Sequence, residues 1–407
     1  MVLPELLAPA GNLKKLKVAL DYGADAVYCG GKEFGLRAGA ENLSREEMHE
    51  AIDYTRQRGS SIYVTMNIIP HNMELKGMLE YLHFLEEIGV DAVIVSDPGV
   101  LYLIERENLQ LPIHLSTQAN TVNWASVKFW ENRGIKRVIL ARELSRGEIE
   151  YINEMTEAEL EMFVHGSMCI SYSGRCLLSN YMTGRDANRG ACAQPCRWKY
   201  SLVEENRPEE SYPIEEDENG TYIMNSRDLN LLNRIPELVN LGVDALKIEG
   251  RMKSVHYVAA VTSVYRTALD KFADSPEEYA IKEKWQEELN KISHRPYTSG
   301  FFEGSPGPEA QNYKSSSYIR DYRFVGLIRG YLPETQTAIV KVKNKISVGD
   351  ELEIFGPGCQ VFKQSVEELY DSEGRRIEVA PHPESLVKLK VDHDVGENYI
   401  IRREKDE

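Results

Sequence analysis

Four cysteines carry the clearest chemical signal in the sequence. They stand in His165-Gly166-Ser167-Met168-Cys169, Gly174-Arg175-Cys176 and Gly190-Ala191-Cys192-Ala193-Gln194-Pro195-Cys196-Arg197, a spacing of C-x6-C-x15-C-x3-C. Four thiolates satisfy either one tetrahedral zinc ion or the four irons of a cubane cluster. Zinc prefers ligand pairs about two to four residues apart, and only the second pair has that spacing. A cluster accepts more varied spacing and often has a proline beside a ligand cysteine, as Pro195 is here, so iron–sulfur is preferred to zinc. The bland alternative is a set of buried free cysteines, which are common small core residues. Four within 28 residues of a Gly- and Arg-rich stretch argue against it. Cys29 and Cys359 stand alone in strand-like or turn contexts, and for them the bland reading is the better one.

The residues around the cysteines leave more open. His165, at the end of an apolar run, is a ligand or catalytic acid–base group on one reading and a plainly hydrogen-bonded histidine on the other. From 169 to 200, Arg175, Arg185, Arg189, Arg197 and Lys199 oppose only Asp186, a net of +4 in a chain of net charge −16. These cations offset the charge of a thiolate-bound cluster, or contact phosphate, for which arginine is well suited. On the second reading Arg185, Arg189 and Arg197 bind RNA. Residues 201–220 then carry eight acidic residues against Arg207 and read as a solvated hairpin.

The elements that must position these groups are announced by a short repeat. Gly23-Ala24-Asp25-Ala26-Val27, Gly89-Val90-Asp91-Ala92-Val93 and Gly242-Val243-Asp244-Ala245-Leu246 share one pattern, with looser copies at Gly59 and Gly134. A helix C-terminus often needs a glycine at positive φ, and the apolar run after it suits a strand buried on both faces. The strands fall near 3–8, 25–29, 61–66, 91–96, 111–116, 136–141, 159–164 and 244–249. Leu75, Met78, Leu82 and Leu85 share a helix face ahead of Gly89, one case of the helical periodicity between strands. Eight alternating strands predict a TIM-type (β/α)8 barrel over 1–292, with a doubly wound sheet as the alternative. The cysteines lie in an insertion, about 165–226, after the seventh strand, on the face where such barrels place active sites. Val255–Phe272 and Glu277–Ile292 read as helices, and 293–317 as a Gly-, Pro- and Ser-rich linker. From 318 to 407, short alternating strands such as Thr337–Val342 and Leu386–Val391 predict a small all-β domain, a barrel or sandwich.

At 407 residues the chain is longer than one core usually supports, which agrees with two domains. No run of apolar residues is long enough to cross a membrane, and no signal or transit peptide is recognisable, so a cytoplasmic, thiol-reducing setting is expected. The acidic balance opposes non-specific nucleic-acid binding, so any RNA contact must come from a local basic patch.

Several longer motifs resemble the collagenase-like peptidase family U32. They are Pro4-Glu5-Leu6-Leu7-Ala8-Pro9-Ala10-Gly11, His165–Cys169, Asn225-Ser226-Arg227-Asp228-Leu229, Lys247-Ile248-Glu249-Gly250-Arg251 and Ser293-His294-Arg295-Pro296-Tyr297 through Phe302. Neither an HExxH zinc motif nor a GxSxG elbow is present to support peptidase chemistry. The resemblance implies instead a hydroxylation factor with a [4Fe-4S] cluster on Cys169, Cys176, Cys192 and Cys196. Branches of the family act on tRNA wobble uridine, on ribosomal RNA cytidine or in ubiquinone synthesis. A barrel followed by one small β domain is similar to the tRNA branch, which makes 5-hydroxyuridine with prephenate as a source of oxygen. The partners implied are tRNA, a small dicarboxylate and a paralogous family protein. The alternatives are a peptidase and a non-catalytic tRNA-binding subunit. Asn67, Ser116, Gln118, Arg142, Glu143, Arg227, Lys247, Glu249 and Arg251 are the polar residues expected near the strand ends. Of these, Arg227 and Arg251 are the candidates for binding the dicarboxylate at the catalytic centre.

Overall fold

The structure, a computed structural model, describes residues 2–34, 40–169, 172, 175–198, 202–204, 207–212, 227–304 and 318–405, with the backbone alone described for Arg189, Arg197 and 202–212. Strands β1 (Glu5–Ala10), β2 (Ala26–Cys29), β3 (Ser61–Met66), β4 (Ala92–Val95), β5 (Ile113–Leu115), β6 (Arg137–Ile139) and β7 (Glu159–Ser167) pair in parallel in chain order. β8 (Leu202–Glu204) and β9 (Arg207–Tyr212) form an antiparallel hairpin within the acidic stretch, and β10 (Asp228–Asn230) runs antiparallel to the end of β7. β11 (Ala245–Ile248) then pairs in parallel with both β7 and β1. That double pairing closes an eight-stranded barrel and excludes the doubly wound sheet.

Helices α1 (Leu13–Asp21), α2 (Arg45–Arg56), α3 (Leu75–Ile88), α4 (Pro98–Arg106), α5 (Trp124–Glu131) and α6 (Arg146–Met155) link the first seven strands. Their starts carry ordinary capping chemistry. Ser44 and Glu47 form a reciprocal capping box on α2, and Asp97 caps α4 ahead of Pro98. The repeated glycines adopt the positive φ their position requires, 99° at Gly23, 72° at Gly89 and 70° at Gly242. The aspartate two residues later has a separate task. Asp25 accepts a hydrogen bond from the Leu6 N–H, Asp91 from Ile62 and Asp244 from Leu160, each at 2.8 Å. Each carboxylate thus ties the start of its own strand to the neighbouring strand and fixes their register.

Inside the ring, charged side chains take the place of the branched aliphatic layers usual in such barrels. Arg137 donates to Glu5 at 2.7 Å and Glu159 at 2.8 Å, and stands 3.5 Å from Glu161. Glu161, wholly buried, accepts from Lys247 Nζ at 2.6 Å. Tyr63 donates to Glu5 at 2.7 Å and packs edge-on against His114.

The insertion carries α7 (Leu178–Thr183). Beyond it, α8 (Ile235–Asn240), α9 (Val255–Asp274) and α10 (Glu283–Asn290) complete the helical layer, and β12 (Tyr297–Thr298) pairs with β10. The C-terminal residues form β13 (Tyr322–Leu332), β14 (Thr337–Val342), β15 (Ile346–Ser347), β16 (Glu351–Gly356), β17 (Gln360–Ser365), β18 (Leu369–Asp371), β19 (Arg376–Ile377), β20 (Val379–Ala380), β21 (Leu386–Lys390) and β22 (Ile400–Glu404). Eight of these make one antiparallel sheet in the order β17-β16-β22-β13-β14-β21-β18-β19, while β15 pairs with β20. The sheet has its own core, centred on Val325, Val340, Ile354, Leu369 and Ile401. It is joined to the barrel by Tyr22, whose hydroxyl donates to Phe355 O and Asn398 O, and by Arg402, which is wholly buried against Glu288 of α10 and Glu353 of β16. Among the described residues, no helix is long and apolar enough to cross a membrane.

Candidate functional site

A cavity of about 620 Å³ opens at the C-terminal ends of the barrel strands, and all four clustered cysteines line it. Cys169 reaches it directly from the end of β7. The other three are brought there by local hydrogen bonds within the insertion. Arg185 Nε donates to Ala191 O at 3.0 Å, Asn188 Nδ2 to Cys176 O at 3.3 Å, and the Ala193 N–H to the buried Ser179 Oγ at 2.9 Å. Gln194 takes a left-handed φ of 58°, which turns the chain between Cys192 and Cys196. Two sulfurs already meet donors: Arg142 Nη2 lies 3.9 Å from Cys169 Sγ, and the Gln194 N–H 3.4 Å from Cys192 Sγ. Among the described residues, no three His, Cys, Asp or Glu side chains converge closely enough to hold a single metal ion.

Six cations line the cavity, Arg142, Arg185, Lys247, Arg251, Lys253 and Arg320, against the single carboxylate of Glu249 among the described residues. Strand alternation brings Lys247 of β11 and Glu249 just past its end to the same face, while Arg251 stands in the turn that follows. Lys247 and Arg251 are each only 3% exposed. Burial pulls the Lys247 ammonium down from its ordinary pKa, and the Glu161 carboxylate pulls it back up. Arg251 Nη1 donates to Thr65 Oγ1 at 2.8 Å.

Seven of the nine expected strand-end residues line the cavity; Glu143 and Arg227 are not among them. Arg227 is half-buried just ahead of β10, and the adjacent Asp228 faces Lys253 at 3.8 Å and the Arg295 N–H at 3.2 Å. His165 also stands outside the cavity. It is 1% exposed among Tyr257, Tyr265 and Tyr297, with the Tyr265 hydroxyl 3.4 Å from Nδ1. Burial, reinforced by Lys253, pushes its pKa down to about 3, as its place in the core away from the cavity lining implies. Its strand end lies at the barrel mouth, but its ring is packed among those tyrosines. Of the three arginines read as RNA contacts, Arg185 reaches the cavity, while the side chains of Arg189 and Arg197 lie outside the described residues. Burial raises the Cys29 thiol to about 12, and Cys359 is held 3.6 Å from both Ser263 and Thr267 of α9, so both are packing residues. Sequence reasoning missed Lys253, Tyr318 and Arg320. Lys253 follows a recognised motif by two residues and was within reach; Tyr318 and Arg320 adjoin a stretch that reads as linker and gave no signal.

The family model for peptidase family U32 matches residues 11–312, and that for the peptidase family U32 C-terminal domain matches residues 320–402. The chain belongs to peptidase family U32. Within this family it is 44% identical to tRNA hydroxylation protein P1 of Bacillus subtilis, over 99% of this chain and 95% of that protein. It is 39% identical to tRNA hydroxylation protein P of Escherichia coli, over 98% of this chain and 96% of that one. The 23S rRNA 5-hydroxycytidine C2501 synthase of Escherichia coli is 37% identical over 65% of this chain and 39% of its own length. In this U32 chain the motifs His165–Cys169 and Lys247–Arg251 meet at one cavity, which gives their co-occurrence a spatial reason.

Proposed function

We propose that this U32 chain is a tRNA-modifying enzyme that hydroxylates C5 of the wobble uridine and depends on a [4Fe-4S] cluster held by Cys169, Cys176, Cys192 and Cys196. The observation that carries this reading is that four thiols and six cations line one cavity at the barrel mouth. The donor set fits the group: the ligands are soft thiols alone, and donors to sulfur and nearby arginines offset thiolate charge. A cubane also spreads its thiolates wider than a single ion does, which suits cysteines that share a cavity without converging on a point. When bound, the cluster supplies a redox centre beside the substrate.

The protein's own groups do the rest. The cationic rim attracts phosphate, and the depth of the cavity demands that the base leave its stack to enter. Lys247 and Arg251, buried at the cavity floor, match a carboxylate of a small dicarboxylate such as prephenate, the oxygen source on this reading. The names of the similar proteins support hydroxylation of RNA over the peptide hydrolysis implied by the family's name.

Mass spectrometry of tRNA tests the reading. A strain lacking this gene and its family paralogues should lose 5-hydroxyuridine and its derivatives, and wild-type protein should restore them where Cys192→Ser does not. Unchanged tRNA in that strain overturns it. Activity of the purified, iron-loaded chain by itself then separates an enzyme from a tRNA-binding subunit that needs a paralogous partner.

A further inference from the structure

Lys253, Ser293, Tyr318 and Arg320 all line the cavity, and they meet one another there. Lys253 comes from the turn after β11, Ser293 from just past α10, and Tyr318 and Arg320 from the residues ahead of β13. Lys253 Nζ donates to Ser293 O at 3.3 Å, and Arg320 Nε donates to Ser293 Oγ at 3.2 Å, so one serine ties the two cations together. The Tyr318 ring faces Lys253 Nζ at 4.3 Å and the guanidinium carbons of Arg295 and Arg320 at 4.8 and 5.6 Å. Three cations thus gather on one aromatic ring. Carboxylates are scarce beside them. Asp228, itself 1% exposed, stands 3.8 Å from Lys253. Among the described residues, the Arg320 guanidinium meets Ser293 and the Tyr318 ring but no carboxylate. Arg320 is exposed, and the Lys253 side chain keeps 14% of its surface. Both therefore remain within reach of a ligand.

We propose that Lys253 and Arg320 hold one backbone phosphate of the RNA strand, beside the nucleotide whose base enters the cavity, and that the Tyr318 ring keeps the two cations in place for it. The pair suits a phosphodiester, since an ammonium is a compact point charge and a guanidinium a fork of donors. The face of an aromatic ring attracts cations through its negative potential. A cation held that way keeps its full charge for a phosphate, whereas a carboxylate partner would cancel it. Lys247 and Arg251, each only 3% exposed, are left for the small dicarboxylate, so the two anions are taken by different cations. The segment leading into the C-terminal sheet thereby takes part in substrate binding. This inference rests on the RNA reading above.

The test uses the iron-loaded full chain, with affinity for anticodon stem-loops read by fluorescence anisotropy. In these loops the phosphate on the 5′ or the 3′ side of the wobble nucleotide is either intact or replaced by an uncharged methylphosphonate, the sugars being the same. Wild-type protein should bind at least one neutral loop about tenfold more weakly than its intact counterpart, the loss expected of one charge-assisted contact. Arg320→Gln and Tyr318→Leu should narrow that difference, whereas Tyr318→Phe, which keeps the ring, should discriminate as the parent does. Wild type indifferent to both replacements overturns the proposal. So does a folded Arg320→Gln or Tyr318→Leu that keeps the parent's full discrimination. Wild type that binds none of the loops, intact ones included, removes the RNA reading itself and this assignment with it.

Discussion

Charge at the cavity is arranged residue by residue, and its two ends call for different experiments. At the rim, Arg142 and the Gln194 N–H approach the sulfurs of Cys169 and Cys192. Protein purified without oxygen should be brown and hold about four irons per chain. Cys169→Ser and Cys192→Ser should lose that iron. Cys359→Ser, packed against α9 away from the cavity, should keep it. Colourless protein with stoichiometric zinc would overturn the cluster assignment. At the floor, Lys247 is joined to Glu161, which has no exposure at all. Lys247→Met leaves the buried Glu161 carboxylate with Arg137 alone, at 3.5 Å, and should cost up to about 3–5 kcal/mol of stability in denaturant unfolding. Adding Glu161→Leu should recover part of that loss, because it removes the buried carboxylate that has lost its nearer partner, and Arg137 keeps Glu5 and Glu159. A double variant no more stable than Lys247→Met would show that the pair is not what holds the floor together.

At the scale of elements, the G-x-D repeat carries two separable jobs. The glycine ends a helix, whereas the aspartate pins the next strand to its neighbour. Asp91→Ala removes the bond to the Ile62 N–H and should lower stability by about 1 kcal/mol, since the carboxylate is solvent-exposed. An Asp91→Ala variant as stable as the parent would leave the repeat's aspartate without a structural role. Only half of this was legible in the sequence. The glycines and apolar runs were readable because helix termination and strand burial are local, and all eight barrel strands follow from them. The aspartate's partner lies on another strand, about 20 to 80 residues away in sequence, so no local pattern discloses it. The same limit applies to the site. The cysteines announce themselves by spacing, and strand ends point to Lys247 and Arg251. Arg137 and Glu161, charged residues within apolar strand runs, show only in three dimensions that they pair across the barrel interior. A strand's end does not reveal which of its side chains are buried, so the packing of His165 among tyrosines was not legible.

For the molecule as a whole, burial of neutral histidines ties stability to pH. Burial, with Arg137 and other nearby cations adding to it, lowers the His114 pKa to about 2, and burial with Lys253 lowers His165 to about 3. Both lie below the ordinary value near 6.5, so below that pH the unfolded chain binds more protons than the folded one. The stability they contribute is complete above about pH 6.5 and is lost as pH falls toward those lowered values. Each should add about 1.4 kcal/mol of lost stability per pH unit in that window. Urea unfolding between pH 7 and 5 checks this; His114→Gln should flatten the slope by about one proton's worth. An unchanged slope would mean that His114 is protonated in the folded state.

The course of the chain between the two cores has a consequence for how these modules can be shuffled. Tyr318 and Arg320 line the cavity, with the Tyr318 ring facing Lys253 at 4.3 Å and Arg295 at 4.8 Å, immediately before β13 begins at Tyr322. The stretch that leads into the C-terminal sheet is therefore also a piece of the barrel's own doorway. A gene fusion or deletion that treated the sheet as a detachable cassette, cutting at the end of the barrel helices, would carry off part of the threshold over which a substrate must pass. A rearranged descendant can shed or swap the sheet only if it retains those few residues or finds another aromatic and another cation to stand in their place.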